Sequence, residues 1–275
     1  MVYLRYALYM SNLSPSDYAD LQTAATKLET QSFAMTIASK VGMPVEALLH
    51  MLPNGAQVLV SGAVNKALEQ CLRIALNVGK SNSAMIRNKR THTVATAITG
   101  AMGGFFGLPG LIVELPITTT VMLHSIVEIA RGQGEDLSNA ANALACLEVL
   151  ALGPKGVHAE GLESAYYATR TALAQVTREA AAYVAQKGLT KEGAPALVSF
   201  LGKIASRFGM EASEKAAAEI VPVVGALGGL SLNVLFTTYF QRLAEGHFTV
   251  RRLERKYGPE IIRQEYERAR RLRSS

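Results

Sequence analysis

Two long uncharged runs stand out from the otherwise mixed pattern of apolar and polar residues. The first extends from Thr91 to Val113 and the second from Ile220 to Gln241, and neither contains Asp, Glu, Lys or Arg. About 20 apolar residues are enough to cross a bilayer. Glycine and proline interrupt both runs, however, and these residues end or bend helices. Each run therefore predicts two helices joined by a tight turn, which either pack in a protein core or dip into lipid.

Outside these runs, apolar residues recur at helical spacing. Ser14-Pro15-Ser16-Asp17 predicts a helix start, with Ser14 as N-cap and Pro15 at the first helical position, and Gly42 ends that helix. A short helix follows at Pro44, and a longer one begins at Asn54-Gly55 with Val58 predicted to face the core. Further helices are predicted from Met85 to Met102, from Pro116 to about Arg131, after a cap at Ser138, from Glu160 to Gln186 and from Pro195 to Phe208. The end of the chain, Thr249 to Arg273, is highly charged and has a stop at Gly258-Pro259.

No segment alternates polar and apolar residues over the length of a strand. The predicted fold class is therefore all-α, a multi-helix bundle with two Gly/Pro-broken apolar helical hairpins. The two uncharged runs also resemble each other: Leu108 to Thr120 aligns without gaps on Leu227 to Tyr239, with Glu114 opposite Asn233. Such paired segments can mark a repeat around a binding site, and chance similarity between two Gly- and Leu-rich stretches is the alternative.

The net charge of +6 belongs to the end of the chain, because residues 242–273 hold ten Lys or Arg against five Asp or Glu. This tail either meets anionic lipid or is a solvated helix with mixed charges. We expect no nucleic-acid partner, because no helix-turn-helix or base-stacking module is visible.

Cys71 and Cys146 stand far apart, without disulfide or zinc spacing, and the first residues lack the features of a signal peptide. A cytoplasmic protein, or one at the inner face of the cell membrane, is expected.

Several short motifs occur together in the second half of the chain. They are GGFFGLPG (Gly103–Gly110), ELP (Glu114–Pro116), the threonines Thr118–Thr120, GEDL (Gly134–Leu137), ACLEVLALG (Ala145–Gly153), GALGG (Gly225–Gly229), Asn233, GHF (Gly246–Phe248) and RRLERKYG (Arg251–Gly258). In this combination the chain resembles the EcsC protein family over residues 90–258. The resemblance implies a helical, bacterial protein without a settled reaction, and it supplies no catalytic residues. The family takes its name from a member encoded beside an ABC transporter, which suggests a membrane transporter as a partner.

With this resemblance, we divide the chain into an N-terminal helical segment (1–90), an EcsC-like helical core (91–258) and a charged C-terminal helix or tail (259–275). Within the core, a helix from Pro116 places Thr118, Val121, Ser125 and Glu128 on one face. His124 lies beside this face, and Glu114 extends it if the helix begins earlier. This predicts a polar seam that binds an ion, a lipid head group or substrate.

Internal pairing is the alternative for this seam. Glu128 and Glu135 can both pair with Arg131, and Glu114 can cap a helix N-terminus. We expect no metal, because His124 and Glu128 alone match no metal motif, and we expect no cofactor. No motif for a catalytic nucleophile, such as GxSxG, is present.

Two further features predict contact with lipid. Phe105 and Phe106, at the tip of the first turn, either insert into acyl chains or fill the bundle core. Arg251, Arg252 and Arg255 cluster within two turns, where they can meet lipid phosphates.

The leading functional hypothesis is a non-enzymatic, membrane- or lipid-associated binding protein whose partner is an anionic phospholipid or another apolar ligand. Its candidate ligand-binding residues are Phe105, Phe106, Glu114, Thr118, His124, Glu128, Asn233, Arg251, Arg252 and Arg255. The alternative is a hydrolase-like enzyme that acts on a membrane-derived substrate through Glu114, His124 and Glu128. A further alternative is an interaction partner of a membrane transporter.

Overall fold

The computed structural model describes residues 13–29, 31–78, 107–153, 164–188, 194–220 and 229–274. These residues form ten α-helices and no strand, which confirms the all-α prediction. In chain order the helices are α1 (Pro15–Leu28), α2 (Phe33–Val41), α3 (Val45–His50), α4 (Ala56–Val78), α5 (Gly107–Gly132), α6 (Ala140–Glu148), α7 (Ala165–Lys187), α8 (Pro195–Ile220), α9 (Gly229–Tyr257) and α10 (Pro259–Ser274). A 3-10 turn, Val149–Ala151, follows α6.

The helix boundaries follow local capping chemistry. The Ser14 side chain accepts a hydrogen bond from the Asp17 backbone N–H, and Pro15 is the first helical residue, as predicted. The predicted single helix up to Gly42 is wrong, because the chain breaks after Leu28 and Ser32 caps a second helix. This break turns Phe33 into the core, where its ring centroid lies 5.0 Å from that of Phe236.

Two helices are longer than the sequence predicts. Helix α5 begins at Gly107 rather than at Pro116, which lies inside it. A proline in a helix interior removes one hydrogen bond, but here the neighbouring Leu115 and Met122 are fully buried, and their packing stabilises the helix. Helix α8 continues past Phe208 to Ile220, because its alanines allow close packing in the core.

Two smaller predictions also differ from the structure. The N-cap of α6 is Asn139 rather than Ser138. Val58, whose helical spacing predicts a position in the core, is 76% exposed. The predicted helix from Met85 to Met102 lies outside the described residues.

Helix α9 packs against α1, α5, α8 and α10. It runs parallel to α5: the Gln241 amide donates a hydrogen bond to Ser125, and Arg251 donates to Glu135, with both pairs 116 residues apart in sequence. The two similar segments of the uncharged runs align at nearly this spacing, and their described residues therefore lie at nearly matching heights in neighbouring helices. Glu114 and Asn233, the aligned polar residues, are both buried.

Helix α8 runs antiparallel to α9. The Lys215 ammonium lies over the Phe236 ring, at 5.8 Å, whereas the earlier Glu211 meets the later Tyr239. The end of α8 at Ile220 therefore lies at the same end of the bundle as the start of α9 at Gly229 and the start of α5 at Gly107. We call this the apolar end, because the described part of each uncharged run begins there.

Candidate functional site

Three charged side chains are buried together between α5 and α8. Lys215 donates hydrogen bonds to Glu114 (Nζ–Oε1, 2.9 Å) and to Glu219 (Nζ–Oε1, 2.6 Å). The side chains of Lys215, Glu114 and Glu219 are only 0%, 3% and 7% exposed. Burial of an unpaired charge would cost several kcal/mol, so these groups have to be close to one another. We call them the buried triad.

The buried triad holds one ammonium against two carboxyl groups. Burial on its own lowers the pKa of Lys215, but the two carboxylates outweigh this effect and raise the pKa above its usual value. Lys215 is therefore protonated and is not a nucleophile. Burial raises the pKa of Glu219, and Lys215 offsets this only in part. The second oxygen of Glu114, Oε2, is buried and accepts no hydrogen bond from the described residues.

The polar seam predicted on α5 divides into an inner and an outer part. Glu114, Thr118 and Ser125 are buried against the other helices. His124 and Glu128 are half-buried and lie on the outside of α5. Because His124 is ten residues after Glu114, the two residues are separated by about 15 Å along the helix axis. The structure therefore does not bring Glu114, His124 and Glu128 around one point.

The internal pairs differ in part from those predicted for this seam. Arg131 donates to Glu128 at 2.9 Å, as predicted. Glu114 binds Lys215 instead of capping a helix. Glu135 accepts hydrogen bonds from Arg251.

The outer part of α5 changes in polarity along its length. We call its residues the outer stripe, and they are Val113, Ile117, Val121, His124 and Glu128. Val113 is 68% exposed and Ile117 is 45% exposed, and both lie near the apolar end. Towards the other end of the helix the stripe carries His124 and then the Glu128–Arg131 ion pair. Large exposed apolar residues thus lie at one end of the stripe and charges at the other.

The arginines at the end of α9 are bound to acidic partners. Arg251 donates two hydrogen bonds to Glu135, at 2.8 and 3.0 Å, and Arg255 also contacts this carboxylate. Although burial raises the pKa of Glu135, the two arginines outweigh it and hold the pKa below its usual value. Arg252 donates to Asp20 at 2.6 Å. Arg251 lies 22 residues after Gly229, which places this cluster about 33 Å from the apolar end.

The remaining sequence candidates are placed as follows. Asn233 is buried on α9, one turn before Phe236 and Thr237. Phe105 and Phe106 lie outside the described residues.

Sequence reasoning missed Lys215 and Glu219, which look like an ordinary surface pair at i and i+4. The alanines at 212 and 216–218 were the available signal, because they surround the pair with buried small residues.

Within the described ranges, no group of three or more His, Cys, Asp or Glu side chains is arranged to hold a metal ion. Cys71 and Cys146 are buried, and burial raises the pKa of each thiol to about 12, so neither is a reactive thiolate near neutral pH.

A surface pocket of about 200 Å³ lies beside Tyr167, Arg170, Glu254 and Arg263. Arg170 binds the carboxylate of Glu254 at 2.6 Å, and Arg263 lies over the Tyr167 ring, 5.6 Å from its centroid.

One described segment, Ile112–Gly132 within α5, is long and apolar enough to cross a membrane. However, 56% of its most apolar 18-residue window is buried inside the bundle, as in the core helix of a soluble protein, so this is weak support for a membrane span.

No curated protein and no solved structure matches the sequence. The model of the EcsC protein family matches residues 12–253, so the similarity begins well before the region that carries the motifs quoted above. Because this match covers most of the 275 residues, the chain belongs to the EcsC protein family.

Proposed function

We propose that this EcsC family member is a non-enzymatic, membrane- or lipid-associated binding protein that meets lipid acyl chains at its apolar end. One observation carries the proposal. Because α5 and α9 run parallel, the starts of both helices lie at the same end of the bundle, and each is preceded directly by uncharged chain. Two apolar runs that are more than a hundred residues apart in sequence therefore enter one surface.

The distribution of charge supports a lipid-facing role for this end. On α9 the first charged residue after Gly229 is Arg242, about 20 Å along the helix. On α5 the only charged residue before Glu128 is Glu114, whose side chain is 3% exposed. The hydrocarbon layer of one leaflet is about 15 Å thick, half of the bilayer core. These two helices thus present no exposed charge over a depth that one leaflet would cover.

The partner that we propose is a phospholipid bilayer or another apolar ligand, met in the cytoplasm or at the inner face of the cell membrane. Anionic head groups would add affinity through Arg251, Arg252 and Arg255 only if these side chains gave up their carboxylate partners. Because the cluster is also about 33 Å from the apolar end, we propose that apolar contact supplies most of the binding free energy.

The test is flotation of detergent-free protein with lipid vesicles. We expect binding to neutral phosphatidylcholine vesicles, and we expect it to persist in about 1 M salt, because salt screens charges but not apolar contacts. Vesicles that contain phosphatidylserine serve as the comparison. Binding that requires phosphatidylserine and disappears in salt would contradict contact through the apolar end.

A second measurement addresses a bound ligand in place of a bilayer. Native mass spectrometry of the monodisperse fraction, followed by lipid extraction, would identify a co-purifying apolar molecule. A protein that neither floats with vesicles nor carries lipid, but is captured by a membrane transporter, would support the interaction-partner alternative instead.

A further inference from the structure

We propose that the outer stripe of α5 is the face that enters the bilayer, with Val113 and Ile117 among the acyl chains and His124 at the level of the head groups. This inference rests on the proposed function and adds the orientation of the bound protein. It identifies the described residues that would contact lipid, and it makes a different prediction for each position along the helix.

The exposure of α5 selects this face. Val113 and Ile117 are one turn apart on the same side of the helix, and they are 68% and 45% exposed. The other sides of the same turns are covered by protein, since Leu115 and Thr118 are fully buried. Large apolar side chains with this exposure on neighbouring turns indicate a surface that another apolar phase covers.

The sequence of polarity along the stripe matches the depth profile of one leaflet. Measured along the helix axis from Val113, Ile117 lies at about 6 Å, His124 at about 17 Å and Glu128 at about 23 Å. With Val113 deepest and α5 close to the membrane normal, the hydrocarbon layer of about 15 Å ends just before His124. The Glu128–Arg131 ion pair, with its 2.9 Å separation, then remains in water.

Two features favour a bilayer over a protein partner. Protein interfaces have a polar, partly charged rim, whereas α5 and α9 expose no charge over about 20 Å from the apolar end. In addition, the chain that joins this end directly, residues 91–106 before Gly107 and residues 221–228 between Ile220 and Gly229, contains no Asp, Glu, Lys or Arg. The uncharged faces of α5 and α9, next to uncharged chain, are complementary to hydrocarbon.

The chain contains no Trp, so a single introduced Trp is a unique fluorescent reporter. We would compare Val113→Trp, Ile117→Trp and His124→Trp with Val58→Trp and Val198→Trp, whose native residues are also exposed, at 76% and 58%. The probe is phosphatidylcholine vesicles with brominated acyl chains. We expect strong quenching and a blue shift at 113 and 117, weaker quenching at 124, and emission like that in buffer at 58 and 198.

A pair of charge variants provides an independent readout. Ile117→Asp should weaken flotation with the same vesicles by roughly tenfold or more, because an aspartate is strongly disfavoured in hydrocarbon. Val58→Asp, the matched control, should float like the wild-type protein. Circular dichroism of both variants would show that the helices are intact.

The outcomes separate this inference from the proposed function. If the wild-type protein floats but the Trp at 58 or 198 is quenched more than those at 113 and 117, the orientation is overturned and the proposed function stands. If the wild-type protein does not float with any vesicle, both are overturned. Equal flotation of Ile117→Asp and the wild-type protein would also overturn the orientation.

Discussion

The ammonium of Lys215 lies 2.9 Å from Oε1 of Glu114, and this contact joins α8 to α5 across 101 positions of the chain. The Lys215 side chain is completely buried, and a second carboxylate, that of Glu219, lies 2.6 Å from the same nitrogen. One cation thus offsets two acidic groups just inside the end where both uncharged runs enter the bundle. Removal of one partner would therefore leave a buried charge without its counter-charge.

Replacement of Lys215 by methionine should strongly destabilise the protein. Lys215→Met keeps the apolar stem but leaves Glu114 and Glu219 buried without their cation, a change that costs about 3–5 kcal/mol for buried pairs. Urea denaturation measures the free energy of unfolding. The triple variant Glu114→Leu/Lys215→Met/Glu219→Leu is the control, and it should lose much less because no charge remains buried. A loss below about 1 kcal/mol for the single variant would show that the pair contributes little.

His247 should make the fold sensitive to mild acid. Burial, reinforced by Arg170 and Arg251, lowers its pKa well below the usual 6.5. Its Nδ1 lies 3.0 Å from the Tyr166 hydroxyl, and its Nε2 has no hydrogen-bond partner among the described residues. Below about pH 6.5 the imidazole of His247 takes up a proton in the unfolded chain but stays neutral in the folded protein. Stability is therefore complete above this pH and falls below it, by up to about 1.4 kcal/mol per pH unit.

The measurement for His247 is the pH dependence of urea unfolding between about pH 7.5 and 5, compared with that of His247→Gln. Buried carboxyl groups with raised pKa, among them Glu148, act in the opposite direction, because they favour the folded state as the pH falls. These groups are present in both proteins, so the difference between the two slopes isolates the histidine. Parallel slopes would contradict a neutral, buried His247.

Gly246 should tolerate no side chain, because it lies where α9 touches α1. A Cβ at this position would lie 2.7 Å from Cγ of Leu28 and 3.0 Å from the Ala24 carbonyl oxygen. Gly246→Ala should therefore force the two helices apart and cost about 1–3 kcal/mol, as overpacking does. Thermal unfolding measures the loss.

Gly202 is the matched control for that substitution. It lies inside α8, and outside its own stretch of that helix no atom of the described residues lies within 4 Å of the place that an alanine methyl group would occupy. Gly202→Ala should stabilise the protein by up to about 1 kcal/mol through helix propensity alone. Equal effects of the two substitutions would mean that α1 and α9 are not in close contact at Gly246.

Arg251 should matter for stability and not for binding to vesicles. Arg251→Gln removes two hydrogen bonds to the buried carboxylate of Glu135, and we expect a loss of about 2 kcal/mol. Flotation with phosphatidylserine vesicles should be unchanged. Arg242→Gln, at an exposed position on the same helix, should change stability by less than about 0.5 kcal/mol. A folded Arg251→Gln variant that no longer binds these vesicles would instead support the phosphate-binding role that the sequence predicts for Arg251.

Features that depend on neighbouring residues could be predicted from the sequence. The all-α class followed from helical spacing, and the cap at Ser14, the left-handed end at Gly42 and the stop at Gly258 each involve only a few adjacent residues. The same local reasoning placed the start of a helix at Pro116, which lies inside α5 in the structure. Proline disfavours a helix interior locally, but packing of the buried residues around it outweighs that preference.

Which charges are buried, and which surfaces remain apolar, followed only from the packing of distant segments. The sequence does not single out Lys215, and it makes Arg251 a tail residue. In the fold Lys215 binds Glu114 and Arg251 binds Glu135, each across more than a hundred positions of the chain. The parallel course of α5 and α9, which brings both uncharged runs to one end, likewise depends on long-range contacts. Helical periodicity in the sequence shows which face of a helix is apolar. Which other helix covers that face depends on the free energy of the assembled bundle.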